Sequence, residues 1–237
     1  MSKQKEIISA RIHTALNFFF EALFPHRCFG CSSYQTLLCD HCLKCIPRRL
    51  PATFFVAPSN SYTSPLDSLT SATYFQVPLI SRLIHSFKYQ SLKDLSEPLS
   101  RLLSETLYHT SIPLPDIVTS VPLHPKRLRE RGFNQSFLLA EHLTHNLNKL
   151  IPLTQHTSLL IKTRYTKPQS KQQNREARLT NLENAFDLSP LYKDTPLKGK
   201  IIWLVDDVTT TGATLTACAK VLKAHGVKEV HGIVIAH

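Results

Sequence analysis

Residues 201–215 read IIWLVDDVTTTGATL: five apolar residues, two adjacent carboxylates, then a threonine-rich turn around one glycine. The run from Ile201 to Val205 has the length and β-branched content of a buried strand, and residues 213–225 space their apolar side chains as a helix does until Gly226 stops it. The order is strand, loop, helix. In a mostly parallel sheet such a loop opens at the carboxyl end of its strand, where amides at the positive end of the next helix favour an anion. Thr209, Thr210, Thr211 and Thr214 add hydroxyl donors, while Gly212, before Ala213, lets the backbone take positive φ and approach a phosphate. Asp206 and Asp207 repel a phosphate, so they require a different partner. Sugar hydroxyls or a bound Mg²⁺ suit hard, acceptor-only oxygens. Together the residues ask for a sugar with a phosphate at one end.

The competing account is purely structural, since aspartate and threonine also favour helix caps. Two other settings for a double aspartate on a buried strand do not fit. A Walker B strand needs a GxxxxGK[ST] loop, which this chain of six glycines lacks, and no strand after residue 207 offers a phospho-acceptor aspartate of the receiver kind. The residues DDVTTTGAT behind an apolar strand resemble the 5-phosphoribosyl 1-pyrophosphate (PRPP) loop of type I phosphoribosyltransferases.

A length of 237 residues allows one sizeable α/β domain with a small appendage, and 42% hydrophobic residues is ordinary for a folded chain. The formal charge of +11 makes polyanions plausible ligands. Much of it sits in the middle: between Ser120 and Arg178 eleven lysines and arginines face three acids, Glu130, Glu141 and Glu176. The opening stretch EIISARIHTALNFFFEALF is apolar along one side but is broken by Arg11, His13, Asn17 and Glu21. It predicts an amphipathic helix within residues 1–24 that packs on the protein itself, neither a transmembrane segment nor a signal peptide, and a cytoplasmic location follows.

Next comes CFGCSSYQTLLCDHCLKC, with five of the six cysteines. The pairs Cys28/Cys31 and Cys39/Cys42 stand seven residues apart, a spacing that in a reducing compartment favours four thiolates on one structural Zn²⁺. Cys45 makes a third C-x-x-C with Cys42, and His26 and His41 lie close by, which leaves the fourth ligand open. A unit this small needs such a staple to fold. The expected divisions are the helix at 1–24, a zinc finger at 25–50, an irregular Pro- and Ser-containing connection at 51–70 and the main domain at 71–237.

The main domain carries a second signal, the strand in DIVTSVPL followed by the basic loop HPKRLRERGFNQ and a helix from 134 to about 150. A solvated basic turn is the plain reading of such a charge run. Its place after a strand of the same sheet lets it open on the same edge as the DDVTTTGAT loop, where fixed cations would stabilise a departing pyrophosphate.

With the C-x-x-C pairs, the VPLHPKRLRERGFNQ block, the segment KTRYTKPQSKQQNREARLTNLENAF and the terminal loop read together, the chain resembles the ComF family of competence-associated, phosphoribosyltransferase-like proteins from about residue 25 onward. The resemblance implies an α/β fold with a type I phosphoribosyltransferase-like parallel sheet flanked by helices and a small N-terminal zinc-finger domain. It implies that Asp206 and Asp207 hold the ribose hydroxyls and residues 209–214 the 5-phosphate. Pro122, His124, Lys126 and Arg127 would face the pyrophosphate, with Mg²⁺ arriving with PRPP. The KTRYTKPQSKQQNREAR segment would close over the site, with Arg164 and Arg175 as its candidate contacts. A role in natural transformation would follow, with single-stranded DNA and competence helicase or recombination proteins as partners. Displacement of pyrophosphate by an acceptor that the sequence does not specify is the enzymatic alternative.

Overall fold

The computed structural model describes residues 26–54, 64–90, 92–149, 155–166, 182 and 184–237. The chain divides into two compact units, Met1–Cys45 and Ile46–His237. The helix expected within 1–24 and most of the closing segment, including Arg175, lie outside the described residues. Among the described residues no helix is long and apolar enough to cross a membrane.

In the first unit a bridge between Arg27 and Tyr34 closes a turn, and one short helix follows, α1 (Asp40–Lys44), with Cys39 at its N-cap. Among its described residues Cys28, Leu37, Leu38, Cys42 and Leu43 are buried.

The second unit is an α/β sandwich. Its strands are β1 (Thr53–Phe54), β2 (Ser68–Thr73), β3 (Ile117–Ser120), β4 (Gln155–His156), β5 (Leu160–Lys162), β6 (Phe186–Leu188), β7 (Ile201–Val208) and β8 (Glu229–Ala236). Six of them form a sheet in the order β1-β2-β8-β7-β3-β4, parallel throughout except for β1, while β5 and β6 form a separate antiparallel pair. β7 sits inside the sheet between β8 and β3, so its apolar run is buried on both faces.

Helix α6 (Ala213–Ala224) covers one face, with Leu215, Cys218, Ala219 and Leu222 against Ile202, Leu204 and Val234. Helices α3 (Ser96–Leu107) and α5 (Gln135–Asn148) pack against each other and against the sheet strands. Trp203 is buried and donates from Nε1 to the Pro113 carbonyl at 3.0 Å. Two further α-helices among the described residues are α2 (Pro78–Tyr89) and α4 (Pro125–Arg131).

β1 and the start of β2 fall within residues 51–70. β2 reads SLTSAT, polar on paper, yet all six residues are buried. Its hydroxyls find partners close at hand: Thr70 meets the Thr53 hydroxyl at 2.8 Å, Ser71 donates to the Thr73 carbonyl at 2.9 Å and Thr73 to the Pro47 carbonyl at 2.6 Å. Burial of hydroxyls costs little once each is hydrogen-bonded. β8, which sequence patterning left unassigned, carries Gly232 where a Cβ would come within 3.0 Å of Leu69 and 3.2 Å of Leu215. Replacing Gly232 by valine should therefore lower stability by about 1–3 kcal/mol through overpacking between sheet and helix, read as a fall in the urea midpoint at unchanged m-value.

Candidate functional site

β7 ends in the two carboxylates, and the chain then turns through Thr209–Gly212 into α6. Thr209 is buried; its N–H donates to the Ala236 carbonyl at 3.2 Å and its hydroxyl accepts from the Gly212 N–H at 3.0 Å. Its side chain thus shapes the loop. Gly212 has φ +73°, the left-handed conformation that glycine takes without strain, and at the start of the helix behind it the Ala213 N–H donates to the Thr211 hydroxyl at 3.4 Å. Thr210 is exposed, Thr211 and Thr214 are half-buried, and Ala213 is buried in the first turn of α6.

The carboxylates are held differently. Asp207 is nearly buried and pairs with the Lys88 ammonium at 2.9 Å, a contact brought from α2. Asp206 accepts from the Ser136 hydroxyl at 2.7 Å and from the Asp207 N–H at 2.9 Å. Burial, then the charge of Asp207, push the Asp206 pKa up to about 7, although Ser136 and Lys88 pull the other way. For Lys88, burial works against the charged form, but the neighbouring Asp207 wins and holds its pKa above the usual lysine value.

The basic loop emerges from β3, the neighbour of β7, so both loops open on one sheet edge. Pro122 and His124 are half-buried, and the His124 side chain caps α4 by accepting from the Lys126 N–H at 3.2 Å. Lys126 points its ammonium at the Tyr165 ring, 4.9 Å from the centroid, and His124 meets the same ring edge-on at 5.3 Å. Arg127 is half-buried and Arg129 exposed, while Arg131 donates to Gln135 at 3.1 Å and lies 5.3 Å over the Tyr89 ring. Arg164 is exposed in the bend after β5. The sequence FNQS joins the two loops: Asn134 donates to the Val121 carbonyl at 3.0 Å and caps α5, and Ser136 reaches Asp206.

A cavity of about 470 Å³ opens beside the basic loop, lined among others by Pro122, Leu128, Phe133, Phe137, Ile161 and Lys162. Burial and then the charge of Arg127 lower the Lys162 pKa. Lys88, Ser136 and Lys162 were not singled out from sequence. For Lys88 a signal existed: it falls one turn beyond Ile84 on the stripe formed by Ile80, Leu83, Ile84 and Phe87, where a lysine is out of place.

In the first unit the sulfurs of Cys28, Cys31, Cys39 and Cys42 all lie within 4.8 Å of one another. Cys39 Sγ stands 3.7 Å from Cys28 Sγ and 3.7 Å from Cys31 Sγ, close to the edge of a tetrahedron built on Zn–S bonds of about 2.3 Å. Gly30 and Cys39 each donate an N–H to Cys28 Sγ at 3.4 Å. Burial raises the Cys28 pKa, but backbone donors overcome it and bring the thiol to about 6, favouring thiolate. Cys42 is pushed upward by burial and its thiol neighbours, an opposition a bound cation would reverse. The donor set fits zinc. Cys45 stands apart, 3.8 Å from His41, so among the described residues the fourth position goes to Cys42.

Two outcomes test this geometry. Cys39→Ser should lose bound metal and Cys45→Ser should keep it, as measured by elemental analysis of the purified proteins. For Asp206, a folded pKa above the unfolded value means the native state retains a proton that the unfolded chain gives up between the ordinary carboxylate range and pH 7. Its ionisation therefore erodes stability as pH rises through that window. Asp206→Asn, which keeps the acceptor for Ser136, should raise the melting temperature more at pH 8 than at pH 5, measured by scanning calorimetry.

The family model described as "Phosphoribosyl transferase domain" matches residues 134–237. The chain is 33% identical over 206 residues to the DNA utilization protein YhgH of Escherichia coli (strain K12), covering 84% of this chain and 83% of the relative. It is 31% identical over 216 residues to Competence protein F of Haemophilus influenzae, covering 87% and 82%. Competence protein ComFC of Bacillus subtilis (strain 168) shares 31% over 147 residues, 62% of this chain and 49% of the relative. With two relatives more than 30% identical over more than four fifths of the chain, and a phosphoribosyl transferase domain over its C-terminal part, the chain belongs to the ComF family of phosphoribosyltransferase-like proteins.

Proposed function

We propose that the chain binds PRPP with Mg²⁺ at the edge where the β3 and β7 loops meet, and that it serves in the use of incoming single-stranded DNA. The observation that carries the first half is the Asp206–Asp207 pair on β7, set one turn ahead of a glycine-led helix N-terminus and beside a basic loop on the next strand. Carboxylates suit sugar hydroxyls, helix amides suit the 5-phosphate, and Lys126 and Arg127 suit the pyrophosphate. The oxygen-only donors of the pair fit Mg²⁺. That ion, bound with the diphosphate, supplies neutralisation of the leaving charge.

The second half draws on the names of the relatives, which concern DNA utilization and competence, and on a surface that alternates cations with rings. The exposed Tyr89 lies 5.3 Å from Arg131 and the half-buried Tyr165 4.9 Å from Lys126. Single-strand grooves combine such rings with backbone-tracking charge. All six cysteines are unpaired thiols, which suits a reducing, cytoplasmic location.

Transfer is the enzymatic form of the same site. An acceptor would form its bond to the anomeric carbon as the carbon–oxygen bond to pyrophosphate breaks, with both electrons of that bond leaving on the pyrophosphate. The residues here would position, exclude water and neutralise, and no protein nucleophile is required. The cavity lined by Phe133, Phe137 and Lys162 adjoins the basic loop and is the space available to such an acceptor.

Calorimetric titration with Mg²⁺-PRPP, with pyrophosphate followed in the same sample, tests the proposal. Wild type should bind, and the double variant Asp206→Ala/Asp207→Ala should lose affinity by roughly 100-fold or more, as expected when two charge-assisted contacts go. The same variant should still bind a single-stranded oligonucleotide. Equal PRPP affinity in the variant would overturn the site, and pyrophosphate release would identify an enzyme.

A further inference from the structure

Lys88 is the least expected member of the acidic site. Its helix is fixed by Ile80, Leu83, Ile84 and Phe87, all buried, so the backbone that carries it is not free to shift. Its ammonium reaches across to Asp207 at 2.9 Å, with the two side chains 21% and 8% exposed. Asp206, one residue earlier, has one oxygen committed to the Ser136 hydroxyl and the Asp207 N–H, and Asp207 accepts in addition from the Val208 N–H at 2.6 Å. Two adjacent shielded carboxylates are a hard-oxygen site that a divalent cation would seek. The lysine ammonium already stands there.

We propose that Lys88 fills the cation position of the Asp206–Asp207 pair in the ligand-free protein and keeps free divalent ions off it until a phosphorylated sugar arrives with its own. This rests on the reading of the site as a PRPP site. A divalent ion binds carboxylate oxygen at roughly 2.0–2.6 Å, so an ion on Asp207 and an ammonium 2.9 Å from the same oxygen compete for one place. With little water between them, their repulsion is poorly screened. Free metal offers Lys88 nothing in exchange for Asp207. A ligand carrying pyrophosphate does, because its oxygens give the ammonium an anionic partner at the same edge, and the flexible four-carbon stem lets it swing while the helix stays still. Displacement of Lys88 and binding of the metal-bearing ligand are thereby coupled, and the coupling acts in both directions.

The probe is Mn²⁺ alone, without PRPP, titrated into the full-length protein loaded with zinc, with free Mn²⁺ read by electron paramagnetic resonance. Wild type should bind it weakly at this pair. Lys88→Met should bind about tenfold tighter or more, because the blocking charge is gone. Lys88→Arg, which keeps the charge, should resemble wild type, and Lys88→Met/Asp207→Asn should lose the gain. If Lys88→Met does not fold, Lys88→Gln, which keeps a donor for Asp207, carries the same test. Unchanged Mn²⁺ affinity on removal of the charge, or an equal gain in Lys88→Arg, would overturn the proposal. The PRPP reading fails separately, by absence of PRPP binding to wild type. A Mn²⁺ gain beside that absence would leave Lys88 as the counter-ion of the pair and overturn its release by a phosphorylated sugar.

Discussion

Two carboxylates side by side at the end of a buried strand repel each other and resist desolvation, and much of the second unit is arranged to hold them. Lys88 comes from α2 to neutralise Asp207, and Ser136 comes from α5 to donate to Asp206. Asp206 still carries a pKa near 7, the sign of a site kept under electrostatic tension. Buried charge that is only partly compensated lowers stability, and such perturbed carboxylates mark a candidate functional site. The capped, hydrogen-bonded turns that follow β3 and β7 then fix where such a ligand's anionic groups would lie.

The same dependence on a small number of strong contacts governs the first unit in another form. Among its described residues a turn and a one-turn helix are brought together around four convergent sulfurs, a donor set that could hold a metal ion. The backbone N–H groups already aimed at Cys28 favour the thiolate, so the peptide is organised toward a cation before any is considered. Cys45 and His41, so close in sequence, are kept out because α1 turns both of them to solvent.

What could be read from sequence follows from how local each feature is. β7 was legible because a central parallel strand is buried on both faces and needs an unbroken apolar run, and the helix behind it stops at Ala224, a residue short of expectation. The cysteine pairs were legible by spacing, since each C-x-x-C forms a local turn. β2 was hidden because its burial is satisfied by hydroxyl pairing rather than by apolar side chains. Lys88 and Ser136 were hidden for a different reason: each meets its aspartate only through the tertiary packing of its helix, 119 and 70 positions away in the chain. The out-of-place lysine on the apolar stripe of α2 was the one local trace of that packing.

The proposed ligand edge is built from the β7 and β3 loops together. Hydrogen–deuterium exchange of the full-length protein with and without Mg²⁺-PRPP reads that edge directly, since amides that take part in binding exchange more slowly. Protection should rise at 206–216 and at 121–131 together, with β1 and the far end of the sheet unchanged. Protection confined to regions away from these loops, or none at saturating ligand, would contradict a ligand edge at the β3 and β7 loops.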